Sequence, residues 1–501
     1  MGRGAVILVM AGAVAVAGAG EDVPVRWGGA FSPNQVAEAR GLPEEISERT
    51  LRRELRLGTH QYSIPTVDRG RVYLGVNDHG VRREGYRPSG SGAVLCVDAA
   101  TFEVVWQLPI PRNMEGVRPP YYFDQWRCGV CSGPVVAGER VYVVGNRGDV
   151  LCLDRKGQAD GNDGPFTDEL AYMGVAGEGA ALAPTDGDII WRYDMVEGLD
   201  VSPHDTVAST LLLAHGLLYA ATSNGQGANH LPAPRPDAPT LAVFDARTGR
   251  LVAKDDERIG RRVFHGNWSS PCYGEAGGMR LVFLGGGDGM LYAFHAPEPD
   301  PEGRVQTLRK AWQADCNPPH FRRREGRELA YSSWNRRLAD GPSEPIGTPV
   351  FHEGRVYVAV GQSPLHGLGD GCLTCFDAAT GAVVWRTEKV NRTLSTVALH
   401  EGVIYLPDCA GDLHAFDAAT GETLWRHALG GPVQYANALV ADGKVYAGTE
   451  RGEFWVFRAG REKAALFSTR LPSPPITAAA GEGVLYIPMQ NRLNAYGVPG
   501  R

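Results

Sequence analysis

Three residues with metal-binding side chains occupy the same position in successive segments of the chain. Cys128, Asp205 and His265 each lie four residues before a serine that begins a short apolar strand. In a ring of repeated units, equivalent positions lie at one level, so we expect these side chains to share one site. Thiolate, carboxylate and imidazole together can hold zinc or another transition metal. The alternatives are a polar, water-filled opening, or a local disulfide or buried thiols within Cys128-Gly-Val-Cys131.

A wider set of polar and aromatic residues lies near the same strand starts. We predict that they line the mouth of a central channel and bind a ligand there: His60, Tyr62, Cys128, Cys131, His204, Asp205, His265, Asn267, Trp268 and Asn391. The sequence identifies no catalytic residue. It contains neither Gly-x-Ser-x-Gly nor His-Glu-x-x-His, so serine-hydrolase and zincin chemistry have no support.

A second candidate metal site is an acidic, glycine-rich segment at residues 154–169. Its oxygen ligands would be Asp160, Asn162, Asp163 and Asp168, with Glu169 beside them. Carboxylate and amide oxygens are the ligands that calcium prefers, although the spacing is not that of an EF-hand. The alternative is a solvated acidic insertion.

Strands must position these residues. Short strands rich in Val, Leu and Ile recur, each with an aromatic residue near its centre: Tyr73, Tyr142, Tyr219, Phe283, Tyr357, Tyr405, Tyr446 and Tyr486. The turn Asp-Ala-Ala-Thr-Gly at 377–381 recurs at 417–421. A four-strand unit repeated every 40–45 residues or so is typical of a propeller. The sequence predicts an all-β fold, an eight-bladed β-propeller of four-stranded antiparallel blades; a helical pattern occurs only near residues 43–55.

The outer strands of several repeats each contain a tryptophan. We predict that Trp106, Trp191, Trp312, Trp385 and Trp425 pack against the adjacent blade. The last repeat lacks an outer strand, and residues 53–58 are predicted to supply it. Both termini would then close the ring and remove an exposed sheet edge.

The chain divides into three predicted segments. Residues 1–19 have one arginine, an apolar run and a small-x-small site, which is typical of a signal peptide. A lead-in follows at 20–51, and the propeller occupies 52–501. We therefore expect export to a periplasm or beyond, with no membrane span after cleavage. A net charge of −7 and no extended basic run argue against nucleic acid as a partner.

The repeat Ala415-x-Asp417-x-x-Thr420-Gly421-x-x-x-Trp425 resembles that of the quinoprotein-alcohol-dehydrogenase-like, or pyrroloquinoline-quinone-like repeat, propellers. The resemblance runs from about Trp27 to the end and includes "CGVCSGP" and "HGNWSSP", which are similar to the secreted, uncharacterised branch. It implies an eight-bladed propeller, with calcium and pyrroloquinoline quinone as candidate cofactors. The quinone-dependent members resemble one another in an adjacent Cys-Cys pair, which this sequence lacks. No position in this sequence matches their calcium ligands or their catalytic base.

Two hypotheses for the function follow. The first is an exported scaffold that binds a protein or small-molecule partner at its channel mouth and loops and has no catalysis of its own. The second is a periplasmic quinoprotein or metal-dependent oxidoreductase whose site lies at the channel mouth. The missing cysteine pair favours the first hypothesis, and the ring of Cys128, Asp205, His265 and Trp268 favours the second.

Overall fold

The structure is a computed structural model that describes residues 23–112 and 126–499. The predicted signal peptide at residues 1–19 lies outside the described residues. Within the described ranges, no helix has the length and apolar character needed to cross a membrane.

Eight sheets, each with four antiparallel strands, form the blades of an eight-bladed propeller, and two of these sheets carry a short parallel fifth strand at one edge. Two strands precede the first blade: β1 (Val36–Ala37) and β2 (Leu51–Arg56). Blades 1 to 4 consist of β3 (Thr66–Asp68), β4 (Arg71–Asn77), β5 (Gly92–Asp98) and β6 (Val104–Ile110); β7 (Val135–Ala137), β8 (Arg140–Val144), β9 (Asp149–Asp154) and β10 (Ile189–Asp194); β11 (Leu212–Ala214), β12 (Leu217–Ala221), β13 (Leu241–Asp245) and β14 (Leu251–Lys254); and β15 (Cys272–Ala276), β16 (Met279–Gly285), β17 (Met290–His295) and, after β18 (Gln306–Thr307), β19 (Lys310–Asp315).

The second half of the ring follows a hairpin of β20 (Arg323–Arg324) and β21 (Arg327–Glu328). Blades 5 to 8 consist of β22 (Val350–His352), β23 (Arg355–Val360), β24 (Cys372–Asp377) and β25 (Val383–Thr387); β26 (Ala398–His400), β27 (Val403–Pro407), β28 (Asp412–Asp417) and β29 (Thr423–Ala428); β30 (Leu439–Ala441), β31 (Lys444–Gly448), β32 (Glu453–Arg458) and β33 (Ala465–Arg470); and β34 (Ala479–Gly481), β35 (Val484–Met489) and β36 (Arg492–Gly497). Short helices lie in the loops: α1 (Glu169–Met173), α2 (Met195–Leu199) and α3 (Pro319–Arg322), with 3-10 turns at Asp78–Gly80, Gly157–Ala159, Ala228–His230, Ile259–Arg261 and Pro364–His366.

The middle strands of each blade are buried on both faces because neighbouring blades cover them. All six residues of β9 are buried, for example, and so are all five of β27. Continuous runs of β-branched and aromatic residues suit strands covered on both sides. The blade interfaces therefore form the core of the protein.

The N-terminal strand β2 pairs with β36 and becomes the outer strand of blade 8. This confirms the prediction that both termini close the ring. The helical pattern near residues 43–55 was misleading, because residues 51–56 pair with the last strand and form a sheet. Pairing at the ring closure outweighs local helix propensity there.

Five tryptophans of the outer strands each contact the following blade. The indole N–H groups of Trp106, Trp191, Trp312, Trp385 and Trp425 donate hydrogen bonds to backbone carbonyls of Arg155, Ala246, Ala378, Ala418 and Gly460. At four of these contacts the ring covers a glycine of the next blade, where an added Cβ would lie within 3 Å of an indole carbon: Gly157, Gly249, Gly381 and Gly421.

A pair of glycine substitutions measures this packing. Gly421 and Gly402 have nearly equal φ angles of 73° and 74°, but only Gly421 faces an indole: its Cβ would lie 2.4 Å from a ring carbon of Trp385, whereas no heavy atom lies within 4 Å of the Cβ position at Gly402. Both Gly→Ala changes incur the cost of a left-handed backbone, roughly 1–2 kcal/mol. We expect Gly421→Ala to lower the free energy of unfolding in urea by about 1–3 kcal/mol more than Gly402→Ala does, the typical cost of overpacking. Equal losses would show that the indole contact contributes nothing.

Residues 25–37 form a strap along the inner edges of the first strands of six blades. Val25 pairs with Val136 of β7 in an antiparallel bridge, and β1 pairs in parallel with β30. The strap's contacts on blades 2 to 7 are made with Val136, Leu211, Tyr273, Phe351, Leu399 and Val440. The inner strands of a propeller surround its channel, so the strap occupies the channel at the level of these strands.

Candidate functional site

A cavity of about 790 Å³ lies at one mouth of the central channel. The first strands of blades 1 to 6 begin three residues later than the predicted strand starts. Six lining residues lie at equivalent positions, each four residues before one of these strands: Tyr62, Cys131, Ala208, Trp268, Ile346 and Leu394. Residues three positions earlier add Cys128, Asp205 and His265, and His60 also lines the wall. Positions that are equivalent in the sequence repeat therefore lie next to one another around the cavity wall.

Trp27 of the strap also lines the cavity and belongs to its floor. Its indole N–H donates to Thr210 Oγ1 at 3.0 Å, and its ring packs against Gly133, where a Cβ would lie 2.6 Å from a ring carbon. Further aromatic side chains in the wall are Trp126, Trp268, Trp334, Tyr62 and Tyr435. The cavity is therefore apolar over much of its surface.

Four histidines meet at one side of the cavity. The ring of His265 lies 4.5 Å from that of His204, 4.6 Å from that of His230 and 5.0 Å from that of His366, centroid to centroid. The Nε2 atoms of His230 and His265 are 2.9 Å apart. His204 Nδ1 is 2.7 Å from the carbonyl oxygen of Gln226, a contact that holds the proton on Nδ1.

Burial keeps these imidazoles neutral at pH 7. Loss of hydration lowers the pKa of His204 and of His366 to about 4. It lowers the pKa of His265 far below its usual value, and repulsion from the neighbouring imidazoles acts in the same direction. The pKa of His230 is also lowered, first by burial and then by His204. Neutral imidazole is the form of histidine that binds metal ions.

Cys128, Asp205 and His265 share this cavity, but their metal-binding atoms do not converge. In the described ranges, ligand atoms within 4.8 Å of one another occur in two groups of three: His204, His230 and His265; and Asp408, Asp412 and His414. Asp205 instead accepts a hydrogen bond from the Trp126 indole at 3.1 Å, and burial raises its pKa to about 6. Of the predicted trio, His265 therefore belongs to a group of converging ligand atoms, and its partners there are the imidazoles of His204 and His230.

The Asp408 group is a hydrogen-bonded network within blade 6. The Asp408 carboxylate accepts backbone N–H groups of residues 410–412, the backbone and side-chain amides of Asn391, and the ring of His414. Asp412 pairs with Arg426 at 2.6 Å. N–H donors already surround the Asp408 oxygens, so this group offers no cation site.

Two predicted channel residues have other partners. Asn391 belongs to the Asp408 network, and Asn267 donates to the carbonyl of Asn224 and accepts from the Gly287 N–H. Neither is among the residues that line the cavity. His204 lies behind the wall as a member of the imidazole cluster and is fully buried.

Sequence reasoning missed His230, His366 and Trp27. The two histidines lie in loops between the second and third strands of blades 3 and 5, where the repeat gives no alignment. Trp27 lies in the lead-in, outside every repeat. The only sequence signal for His230 and His366 was the presence of a histidine in a long insertion. The composition of a loop does not show whether that loop folds back to the channel.

The acidic segment of blade 2 does not gather its predicted calcium ligands. Asp160 pairs with Lys156 at 2.8 Å, and the Asn162 side chain donates to Glu169. Within the described ranges, the segment's carboxylates, Asp163 and Asp168 included, form no group of three with ligand atoms within 4.8 Å of one another. Calcium binding by this loop stays a prediction.

A buried carboxyl beside this segment predicts a pH effect on stability. Burial raises the pKa of Asp188 from 3.8 to about 7, and repulsion from Glu169 adds to the shift. The folded state therefore holds a proton that the unfolded state releases, so wild-type stability falls as pH rises from about 4 to about 7. We expect Asp188→Asn to become more stable relative to wild type between pH 5 and pH 8, measured by urea unfolding. The exposed Asp256→Asn is the control, and a pH-independent difference for Asp188→Asn would contradict this assignment.

Comparisons with known proteins agree with this architecture. The model of the pyrroloquinoline-quinone-like repeat family described as "Outer membrane protein assembly factor BamB" matches residues 44–269 and 319–466, more than half of the chain. This chain belongs to the pyrroloquinoline-quinone-like repeat family. A search of curated proteins finds no match to the sequence.

Solved structures of this family type share the fold at low identity. BamB from Moraxella catarrhalis is 13% identical with a TM-score of 0.52, over 90% of this chain and 98% of that chain. Quinohemoprotein alcohol dehydrogenase from Comamonas testosteroni is 12% identical with a TM-score of 0.58, over 94% and 80%. A europium-containing methanol dehydrogenase is 12% identical with a TM-score of 0.59, over 95% and 98%. These similarities establish the fold, and function must be argued from the site.

The cavity's donor set does not suit calcium with pyrroloquinoline quinone, the cofactors implied by the family resemblance. Calcium takes six to eight oxygen ligands, usually including several carboxylates. Asp205 is the one carboxylate among the described lining residues, and it faces an indole N–H donor. Nitrogen donors dominate this wall instead.

Proposed function

We propose that this family member is an exported ligand-binding propeller whose channel-mouth cavity takes a compact organic molecule against aromatic walls. The observation that carries the proposal is the cavity itself. Its volume of about 790 Å³ lies within the roughly 300–1,000 Å³ typical of small-molecule sites. Apolar walls with a few convergent polar groups are the usual composition of such sites.

The distribution of exposed apolar side chains supports the same location. Trp126, Trp334, Leu365 and Tyr435 are 52%, 55%, 60% and 45% exposed, and all four line the cavity. In the described ranges eleven large apolar side chains are exposed, and these four include all three aromatic ones, so exposed aromatic surface gathers around one opening and supports a binding role there. The signal-like sequence at residues 1–19 supports export.

A cavity-filling variant tests the proposal. Ala208 lines the wall and is partly exposed, so Ala208→Trp places a large ring in the cavity without displacing a buried core side chain. The probe is 1-anilinonaphthalene-8-sulfonate, an aromatic anion whose fluorescence increases in apolar sites. We expect wild type to bind one equivalent and Ala208→Trp to bind at least about tenfold more weakly, a loss of about 1.4 kcal/mol.

The matched control is Ala100→Trp, which adds the same ring at an exposed turn. It should leave the affinity unchanged. Equal binding by wild type and Ala208→Trp would place the probe outside the cavity and reject the proposal.

The second candidate function is a metal-dependent oxidoreductase at the same mouth. The cluster of imidazoles in the cavity wall favours it. Its quinone-dependent form lacks support because the wall offers one carboxylate and no adjacent cysteine pair. Titration with pyrroloquinoline quinone and calcium, followed by the quinone absorbance, tests that form directly, and we expect no spectral change.

A further inference from the structure

We propose that His204, His230 and His265 form a transition-metal site in the cavity wall, with an open coordination position facing the cavity. This inference goes beyond ligand binding and does not depend on it. The metal class is a borderline divalent ion such as zinc, copper or cobalt, which imidazole nitrogen binds well.

The three ligands converge from separate parts of the chain. His204 precedes β11, His230 comes from the loop between β12 and β13, and His265 precedes β15. Their metal-binding atoms all lie within 4.8 Å of one another. Two imidazole nitrogens on a tetrahedral zinc ion at about 2.05 Å would lie roughly 3.3 Å apart, so small movements suffice to bind an ion.

His204 and His265 contact groups of the kind that surround metal-binding histidines in proteins. The Nδ1 proton of His204 points to the Gln226 carbonyl, which fixes the tautomer with its lone pair on Nε2. A backbone carbonyl that orients a histidine in this way is typical of the shell around a metal. Trp268 donates its indole N–H to the backbone carbonyl of His204 and stands edge-on to the His265 ring at 4.8 Å.

Without an ion, the pair of His230 and His265 is poorly satisfied. One ring must donate its Nε2 proton to the other across 2.9 Å. The Nδ1 atoms of both rings are buried without a hydrogen-bond partner among the described residues, and His265 is only 3% exposed. A cation held by the two Nε2 lone pairs would replace this contact, because each ring would then carry its proton on Nδ1 and neither would have to donate to the other.

The geometry points to an open rather than a closed site. His230 and His265 line the cavity, whereas His204 lies behind them, so an ion among the three would face the cavity. Three protein ligands with a fourth position free is the arrangement of catalytic zinc, and closed structural sites use four. His366, 5.0 Å from His265 by ring centroids, belongs to the surroundings rather than to the three-ligand group.

Metal titration of purified full-length protein tests the site. The metal-free protein is titrated with Co²⁺, followed by its visible absorption bands, and with zinc in buffered solutions. We expect one equivalent per chain, and His230→Ala and His265→Gln should each weaken binding by more than about 100-fold, beyond the 10–100-fold typical of outer-shell changes. His366→Ala should fall within that smaller range.

Two controls make the result decisive. His400→Ala removes a histidine that is not among the residues lining the cavity, and it should bind metal like wild type. Circular dichroism and probe binding by the same variants separate loss of metal from loss of fold or of the cavity. Sub-stoichiometric binding by wild type, or equal affinity in His230→Ala and wild type, would overturn the site while leaving the ligand-binding proposal standing.

Discussion

Trp106→Ala is expected to lower the free energy of unfolding by about 3–5 kcal/mol, the usual cost of removing a buried tryptophan. Trp106 is fully buried between blades 1 and 2. Its N–H donates to the Arg155 carbonyl at 2.9 Å, and its ring covers Gly157 so closely that a Cβ there would lie 2.9 Å away. The variant therefore loses apolar burial and a hydrogen bond at a blade interface. Urea unfolding monitored by far-ultraviolet circular dichroism measures the change.

Trp334→Ala is the matched control because Trp334 is 55% exposed. Its loss should change stability by no more than about 0.5 kcal/mol, as is usual for surface positions. If Trp106→Ala and Trp334→Ala had equal effects, the interblade tryptophans would not contribute to holding the ring together.

Trp27→Ala should have the second large effect, because it removes both a core contact and the cavity floor. Trp27 is 8% exposed, and its N–H donates to Thr210 Oγ1 at 3.0 Å. We expect a loss of about 3 kcal/mol in unfolding free energy. Probe binding should weaken by about tenfold, since an aromatic contact contributes roughly 0.5–1.5 kcal/mol.

Trp27→Phe separates the two roles of this residue. It keeps an aromatic floor but loses the hydrogen bond, so it should lose about 1 kcal/mol of stability and bind the probe nearly as wild type does. Unchanged probe binding in Trp27→Ala would show that the strap does not form part of the ligand site.

The fold could be predicted from sequence because its determinants are local and repeated. The strand at Tyr73 recurs in all eight blades, and the turn at Asp417 has counterparts at Asp98, Asp245 and Asp377; such repetition averages out local ambiguity. The ring closure could also be predicted, since a missing outer strand at one end implies a donor at the other. The helical pattern near residue 50 was misleading because pairing with β36, far along the chain, determines its conformation.

The site could be predicted only where the repeat extends into it. Cys131, Asp205 and Trp268 line the cavity because their positions relative to the inner strands are equivalent. His230 and His366 lie in loops that no repeat aligns, and their approach to His265 depends on how those loops fold back. Ring symmetry therefore identifies the wall, and long-range loop packing supplies the imidazoles.

Protection of its cysteines from alkylation shows whether the channel-mouth cavity is the ligand site. Cys128 and Cys131 line the cavity and are partly exposed, whereas the other seven of the nine cysteines are buried. The reduced native protein is treated with iodoacetamide with and without saturating 1-anilinonaphthalene-8-sulfonate, and alkylation is measured at each cysteine by peptide mass spectrometry. We expect these two cysteines to be modified first, and we expect the bound probe to slow their modification at least about tenfold. Modification of Cys128 and Cys131 at an unchanged rate under saturating probe would contradict it.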